Sequence, residues 1–165
     1  VYWFACINSN PDHPLYTNWT KRELAHYFSF YSPTVKRLIS ETYDDYFLHH
    51  DIYDIAPLKK FNYGKVLLLG DAAHATTPNM GQGAGQAIED AYELMRAYQL
   101  YHTWQEIVQH YNEKRVEKTK KVIQLSRQIG WAAQWDSSLL TTFRNTVFPF
   151  VPKSLLFWRL TFLFK

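Results

Sequence analysis

Only one cysteine, Cys6, occurs in 165 residues, which excludes an intrachain disulfide and a thiolate metal cluster. A reducing compartment follows as the default, and the cytoplasm is the expected location. Charge of one sign is scarce as well: 18 basic and 15 acidic residues leave a net +3, too slight an excess for a nucleic-acid-binding surface. Nucleic acid is excluded as the partner. No GxSxG elbow is present, so a hydrolase has little support. The opening residues VYWFACINSN lack the basic start of a signal peptide, and a chain beginning at Val1 suggests a trimmed or partial protein. Long apolar runs are missing too. The closing stretch LLFWRLTFLFK, Leu155 to Lys165, falls short of the roughly 20 residues of a spanning helix and is interrupted by Arg159. It is expected to pack as a terminal helix, with interfacial membrane contact or a missing partner surface as the alternatives. A membrane is not an expected partner.

What is present can build a core: 47% of residues are hydrophobic, 18% are aromatic and only 20% carry charge. Val1 to Ile7 reads as a strand, followed by helices over Lys21 to Phe30 and from Ser32-Pro33 through Ile39. A second strand is expected around Tyr46 to Tyr53, and a buried-type strand at Val66 to Leu69. Gly85 to Leu100 has helical character, with Ile88, Tyr92 and Met95 on one stripe. A longer helix runs from Trp104 to about Trp131, and its charges Glu113, Lys114, Glu117, Lys118 and Lys121 read as a solvated face. The order, strands first and helices later, indicates a mixed α/β (α+β) fold.

Four of the six glycines fall in GDAAHATTPNMGQGAGQAIEDA, Gly70 to Ala91, directly after Val66-Leu67-Leu68-Leu69. A strand ending in Gly70-Asp71 puts a carboxylate at the edge from which open α/β sheets address ligands. Pro78 fixes the backbone at a turn. Gly81-Gln82-Gly83-Ala84-Gly85 then opens a helix, leaving the first N–H groups and the positive end of the helix dipole free for an electron-rich group. A hydroxylated, partly anionic ligand fits. A dinucleotide phosphate loop does not, because Gln86 takes the place of the last glycine of GxGxxG and ten residues separate Gly70 from Gly81.

These residues, Gly70-Asp71-Ala72-Ala73-His74, Pro78, Gly81-Gln82-Gly83 and Glu89-Asp90-Ala91, resemble the second flavin-binding motif of the class A FAD-dependent monooxygenases, the aromatic hydroxylases related to salicylate and para-hydroxybenzoate hydroxylases. Weaker likeness extends through VYWFACI, HHDIYDIAPL, KVLLL and the stretch from Glu113 to Gly130. The resemblance implies a partial FAD/NAD(P)-binding fold with substrate-domain strands and a helical C-terminal part. It places residues 1–62 in a substrate-binding sheet domain, 63–102 in the FAD-binding domain and 103–165 in a helical segment. The implied cofactor is FAD with NAD(P)H as co-substrate, and the partners are O2, a small aromatic or olefinic substrate and a missing N-terminal half of the FAD-binding fold.

Carried over by position, Asp71 would hold the ribityl chain or neighbouring pyrophosphate end of FAD. Pro78 would wall the reactive edge of the ring, the backbone of Gly83, Ala84 and Gly85 would face its N1 and O2 side, and Gly70 and Gly81 complete the implied cofactor-binding set. Gly85 stands where several relatives have asparagine. No catalytic residue is assigned. His74 is expected to be structural, and His49-His50-Asp51 to be alternating strand residues and not an iron triad. Tyr2, Trp3 and Phe4 could line a substrate pocket, although packing is the expected role of most of them. Neither an N-terminal glycine fingerprint for the ADP half of FAD nor a further Asp-Gly motif for NAD(P)H is found in the chain. A related epoxidase or drug-modifying oxygenase, and a non-catalytic fragment unable to hold FAD alone, are the alternative readings.

Overall fold

The computed structural model describes residues 1–164, and at Leu156 the backbone only. The chain divides into two compact units, Val1–Ile52 and the residues from Tyr53 onward.

The first unit contains helices α1 (Pro14–Thr17), α2 (Lys21–Tyr27) and α3 (Pro33–Glu41), then a 3-10 turn at Asp44–Tyr46. Thr20 and Glu23 form a reciprocal capping box at the start of α2, which satisfies two otherwise unpaired backbone donors. Leu24, Phe28 and Ile39 are buried, and Trp3, Ile7, Trp19, Val35 and Phe47 pack around them. The strands expected at Val1 to Ile7 and Tyr46 to Tyr53 do not form. Their β-branched and aromatic residues favour extended backbone, but a strand also needs a hydrogen-bonded neighbour, and neither segment has one among the described residues. Trp3 is held differently: its side chain joins the core and its Nε1–H donates to Thr42 Oγ1 at 3.0 Å. Tyr2 and Phe4 are exposed.

In the second unit, strands β1 (Asn62–Tyr63) and β2 (Val66–Leu67) make an antiparallel hairpin, with Asn62 opposite Leu67 and Tyr63 opposite Val66. The expected buried strand over Val66 to Leu69 is therefore shorter and only partly covered. Leu67, Leu68 and Leu69 lean on a core of Phe61, Ala73, Tyr111 and Val116, while Val66 is exposed. Next come α4 (Asp71–His74), a 3-10 turn at Pro78–Met80, α5 (Gly83–Leu100) and the thirty-residue α6 (Trp104–Ala133). A Thr103/Glu106 capping box starts α6.

Helix α6 is the brace of this unit. Asn112 accepts from Phe61 N–H at 2.7 Å and donates to Asn62 Oδ1 at 2.6 Å, and Trp104 Nε1–H donates to the Gly64 carbonyl at 3.0 Å. Arg127 grips Asp54 through Nε at 2.6 Å and a second nitrogen at 2.9 Å, and reaches the Ile55 carbonyl at 3.0 Å. Ile55 N–H in turn donates to the Ala75 carbonyl at 3.2 Å.

Beyond α6 lie α7 (Ser138–Val147), a 3-10 turn at Phe148–Phe150, α8 (Lys153–Leu160) and a last 3-10 turn at Thr161–Phe164. The helix expected at Leu155 to Lys165 forms as far as the described residues go, Lys165 lying outside them. It is not packed as expected, since Leu155, Phe157, Trp158 and Phe164 are exposed. No single helix among the described residues is long and apolar enough to cross a membrane.

Candidate functional site

The glycine-rich stretch folds into three consecutive pieces, and each has a local cause. Gly70 adopts φ +55° and ψ −139°, a conformation essentially confined to glycine, and this reverses the chain from the hairpin into α4. A Cβ there would also lie 3.4 Å from Ala87 Cβ, so α4 and α5 meet closely at this point. Asp71, the first residue of α4, is exposed, and its carboxylate has no partner among the described residues.

The second piece is the Pro78–Met80 turn, terminated by Gly81 in the left-handed region at φ +63°. Helix α6 seats it. Ser126 Oγ donates to the Thr77 carbonyl at 2.8 Å and receives the Thr77 hydroxyl at 2.8 Å, while Asn79 Nδ2 donates to Thr77 Oγ1 at 2.9 Å and to the Ser126 carbonyl at 3.2 Å. Gly130, buried one turn further along α6, leaves the room this needs, because a Cβ there would collide with the Asn79 amide.

The third piece is the start of α5. Gln82 precedes it without a side-chain cap, and the first helical bond is Gln86 N–H to the Gln82 carbonyl at 2.9 Å. The N–H groups of Gly83, Ala84 and Gly85 thus keep their donor capacity, at the positive end of an 18-residue helix. Neither Gly83 nor Gly85 has a positive φ, and a Cβ at either would meet its nearest neighbour at an ordinary 3.8 Å. Nothing among the described residues requires glycine at these two positions. A flat ligand lying against the backbone would.

A buried ionic clasp underlies all three pieces. Asp90 is fully buried in α5; its Oδ2 accepts from Gly70 N–H at 2.8 Å and lies 2.6 Å from His74 Nε2, and its Oδ1 accepts from Arg115 Nε at 2.6 Å. Arg115, equally buried in α6, also donates to the Gln86 carbonyl at 2.9 Å, to Gln86 Oε1 at 2.8 Å and to Glu89. Lys118 bridges to Glu89 at 3.0 Å. Burial pushes the Asp90 carboxyl up, but the hydrogen bonds from His74, Gly70 and Arg115 outweigh it and hold the group below the usual carboxylate range. Beside it, burial and then the Asp90 charge push the Tyr111 phenol far above its ordinary value, and its hydroxyl is buried without a well-formed hydrogen bond.

Asp71, Pro78, Gly81 and the Gly83 to Gly85 backbone are thereby carried on one frame, and Gly70 is the residue the clasp fixes directly. His74 is a buried member of the clasp. Arg115 was not foreseen from the sequence, and Lys118 bridges to Glu89 where a wholly solvated charge was expected. A signal for Arg115 existed: it follows Tyr111 by four residues on the apolar stripe of α6, where an arginine needs a buried acidic partner. Ser126 and Gly130 continue that stripe and were missed for the same reason. In the first unit, Asp51 accepts from Asp12 N–H at 2.8 Å, and no three His, Cys, Asp or Glu side chains converge among the described residues. Two surface depressions, one at Lys21, Ser40 and Asp44 and one at Gly64, Lys65 and Trp104, include no residue of the glycine loop.

Comparison with known proteins identifies the family. A family profile described as "FAD binding domain" matches residues 34–126, more than half of the chain. Aurachin C monooxygenase/isomerase of Stigmatella aurantiaca is 36% identical over 141 residues, 84% of this chain and 36% of that protein. Klebsiella pneumoniae HpxO, solved with FAD and uric acid, superposes with a TM-score of 0.69 at 29% identity, over 74% of this chain and 31% of that one. A salicylate hydroxylase substrate complex gives 0.57 at 27% identity, over 80% and 33% of the two chains. The chain spans about a third of the length of these relatives. Two-stranded and mostly helical as it is, this portion carries part of their α/β fold, and it belongs to the FAD binding domain family, among the class A FAD-dependent monooxygenases.

Proposed function

We propose that this chain forms the flavin-ring side of the active site of an NAD(P)H-dependent monooxygenase that inserts one oxygen atom of O2 into an electron-rich small molecule. The observation that carries the reading is the pair of glycines at 83 and 85. The fold has no need of them, whereas a ring lying on the backbone at the start of α5 would exclude any side chain there.

The residues present fit FAD. The three N–H donors of the first α5 turn, backed by the helix dipole, suit the electron-rich N1 and O2 side of the ring. The exposed Asp71 carboxylate suits hydroxyl groups of the ribityl chain, and Pro78 offers an apolar wall beside the ring without a competing N–H. When bound, FAD would supply electron transfer from NAD(P)H and activation of O2; the overall balance is substrate-H, O2, NAD(P)H and a proton to substrate-OH, water and NAD(P)+. The chain's own contribution is orientation: the clasp fixes Gly70, and Ser126 with Gly130 fixes the proline turn.

In this reading residues 1–62 belong to the substrate-binding part, 63–102 to the flavin seat and 103–165 to a helical segment. An N-terminal half supplying the ADP side of the cofactor site is the expected partner. The exposed stripe Ile88, Tyr92 and Met95 on α5 and the unpaired side of the β1–β2 hairpin support it as surfaces such a half would cover. The test is a flavin titration followed by visible absorbance and fluorescence quenching, using the chain alone and together with the corresponding N-terminal region of a full-length relative. Saturable binding weakened at least about tenfold by Gly83→Ala, with unchanged circular dichroism, supports the seat. Equal affinity of wild type and G83A would remove it.

A further inference from the structure

The chain's positive excess is concentrated in one place. Residues 137–165 contain no Asp or Glu, while Arg144, Lys153, Arg159 and Lys165 are all basic. Residues 1–136 therefore hold 14 basic and 15 acidic side chains, so the whole of the net +3 resides in the last 29 residues. The same segment displays a long run of exposed apolar side chains. On α7, Leu139, Phe143 and Val147 recur at intervals of four and are 82%, 59% and 42% exposed, which puts an uncovered apolar stripe on one face. Phe150, Phe157 and Trp158 follow at 81%, 70% and 71%.

We propose that residues 138–164 form an in-plane membrane-binding element that docks on an anionic lipid surface. A spanning role does not fit: Ser138–Phe150 and Lys153–Phe164 are apolar enough only as a pair, and they are bent by 98° at the Val151-Pro152 break. Two short helices meeting at a right angle can instead lie flat, with large apolar side chains at the acyl boundary and the long Lys153 and Arg159 side chains, which share faces of α8 with Phe157 and Leu155, extending back to the headgroups. Lys153 and Arg159 are exposed and have no acidic or hydrogen-bonding partner among the described residues, so they are available to lipid phosphates. Trp158, beside Arg159, has the amphipathic ring that favours a membrane interface. The charge of the segment favours a lipid surface over a protein one, because it has exposed basic side chains and no acidic residue at all. The inference is independent of the flavin reading.

Flotation of the full 165-residue chain with phosphatidylcholine vesicles, and with vesicles containing phosphatidylglycerol as well, tests it. The expected result is strong co-flotation with the mixed vesicles and weak co-flotation with the neutral ones, with the difference shrinking as salt rises. Lys153→Gln and Arg159→Gln should each lower the partition coefficient roughly fivefold and together about 25-fold, while Lys121→Gln on α6 leaves it unchanged. Phe157→Ser with Trp158→Ser should weaken binding to both vesicle types, circular dichroism confirming that each variant is folded. Absence of flotation overturns the proposal, as does equal flotation with both vesicle types. So does self-association in light scattering that is abolished by Phe157→Ser, which would assign the face to a second copy; the wild-type lipid and salt comparison decides even if a variant does not fold.

Discussion

Replacing Arg115 with methionine keeps much of the side-chain length and removes the charge, which isolates what the clasp contributes. The guanidinium is 1% exposed and Asp90 is fully buried, so solvent does not screen the pair. Losing one partner of a buried ion pair costs about 3–5 kcal/mol, because the other charge stays behind uncompensated. Asp90 keeps His74 and the Gly70 N–H, which puts the expected loss toward the lower end, but the two Gln86 oxygens also lose their donor at about 1 kcal/mol or more. A total near 4 kcal/mol is expected, a large part of the roughly 5–15 kcal/mol that holds a domain together. Urea unfolding followed by circular dichroism measures it. Asp90→Asn alone should also destabilise, and the double variant should be less unstable than the two losses added together by about 2 kcal/mol. The acid limb supplies a second readout. Asp90 titrates lower in the folded chain than in the unfolded one, so its contribution is complete above the ordinary carboxylate pKa and disappears as pH falls through the folded value. D90N should flatten that limb. A loss below about 1 kcal/mol for R115M, or strict additivity, would refute the account of the clasp.

At the alkaline end the sign reverses for Tyr111. Its folded pKa lies above the unfolded one, so stability is intact below about pH 10 and declines above it as the unfolded phenol ionises. Tyr111→Phe should remove that decline and be neutral or slightly stabilising at pH 7, since the hydroxyl it deletes is buried beside Asp90 without a well-formed hydrogen bond; a loss of more than about 2 kcal/mol would show a strong hydrogen bond there. Gly130→Ala should push the Asn79 amide off its two acceptors and cost about 1–3 kcal/mol through overpacking. Because the strain falls on the proline turn, flavin affinity should drop in G130A more than in an Ala variant of the exposed Gln128, and equal affinities would disconnect α6 from the turn.

The glycine loop was legible because its signals are local. Gly70 and Gly81 occupy positive φ, Pro78 opens a turn, and α5 begins beside the glycines that announce it. Helices α5 and α6 likewise follow from their apolar spacing. Strands at 1–7 and 46–53 were misjudged because extended preference belongs to a segment, whereas a ladder belongs to a pair of segments. Arg115 was overlooked for a related reason. A charged residue in a charged stretch reads as solvated until its stripe position is weighed against Glu89-Asp90, twenty-five residues away in the chain at Asp90. Gly130 offered even less, since its role is to be absent where Asn79 stands.

Helix α6 touches the hairpin at Asn112, the clasp at Arg115 and the proline turn at Ser126 and Gly130. These stations lie on one rigid rod, with about 1.5 Å of rise and 100° of rotation for each residue. Asn112 and Gly130 are thus some 27 Å apart along it, and their separation in the chain is also a phase angle. One residue inserted between Arg115 and Ser126 would swing Ser126 and Gly130 to another face while Asn112 and Arg115 stayed in place. Between Asn112 and Gly130 the helix is a fixed gauge that sets the spacing of the site it supports.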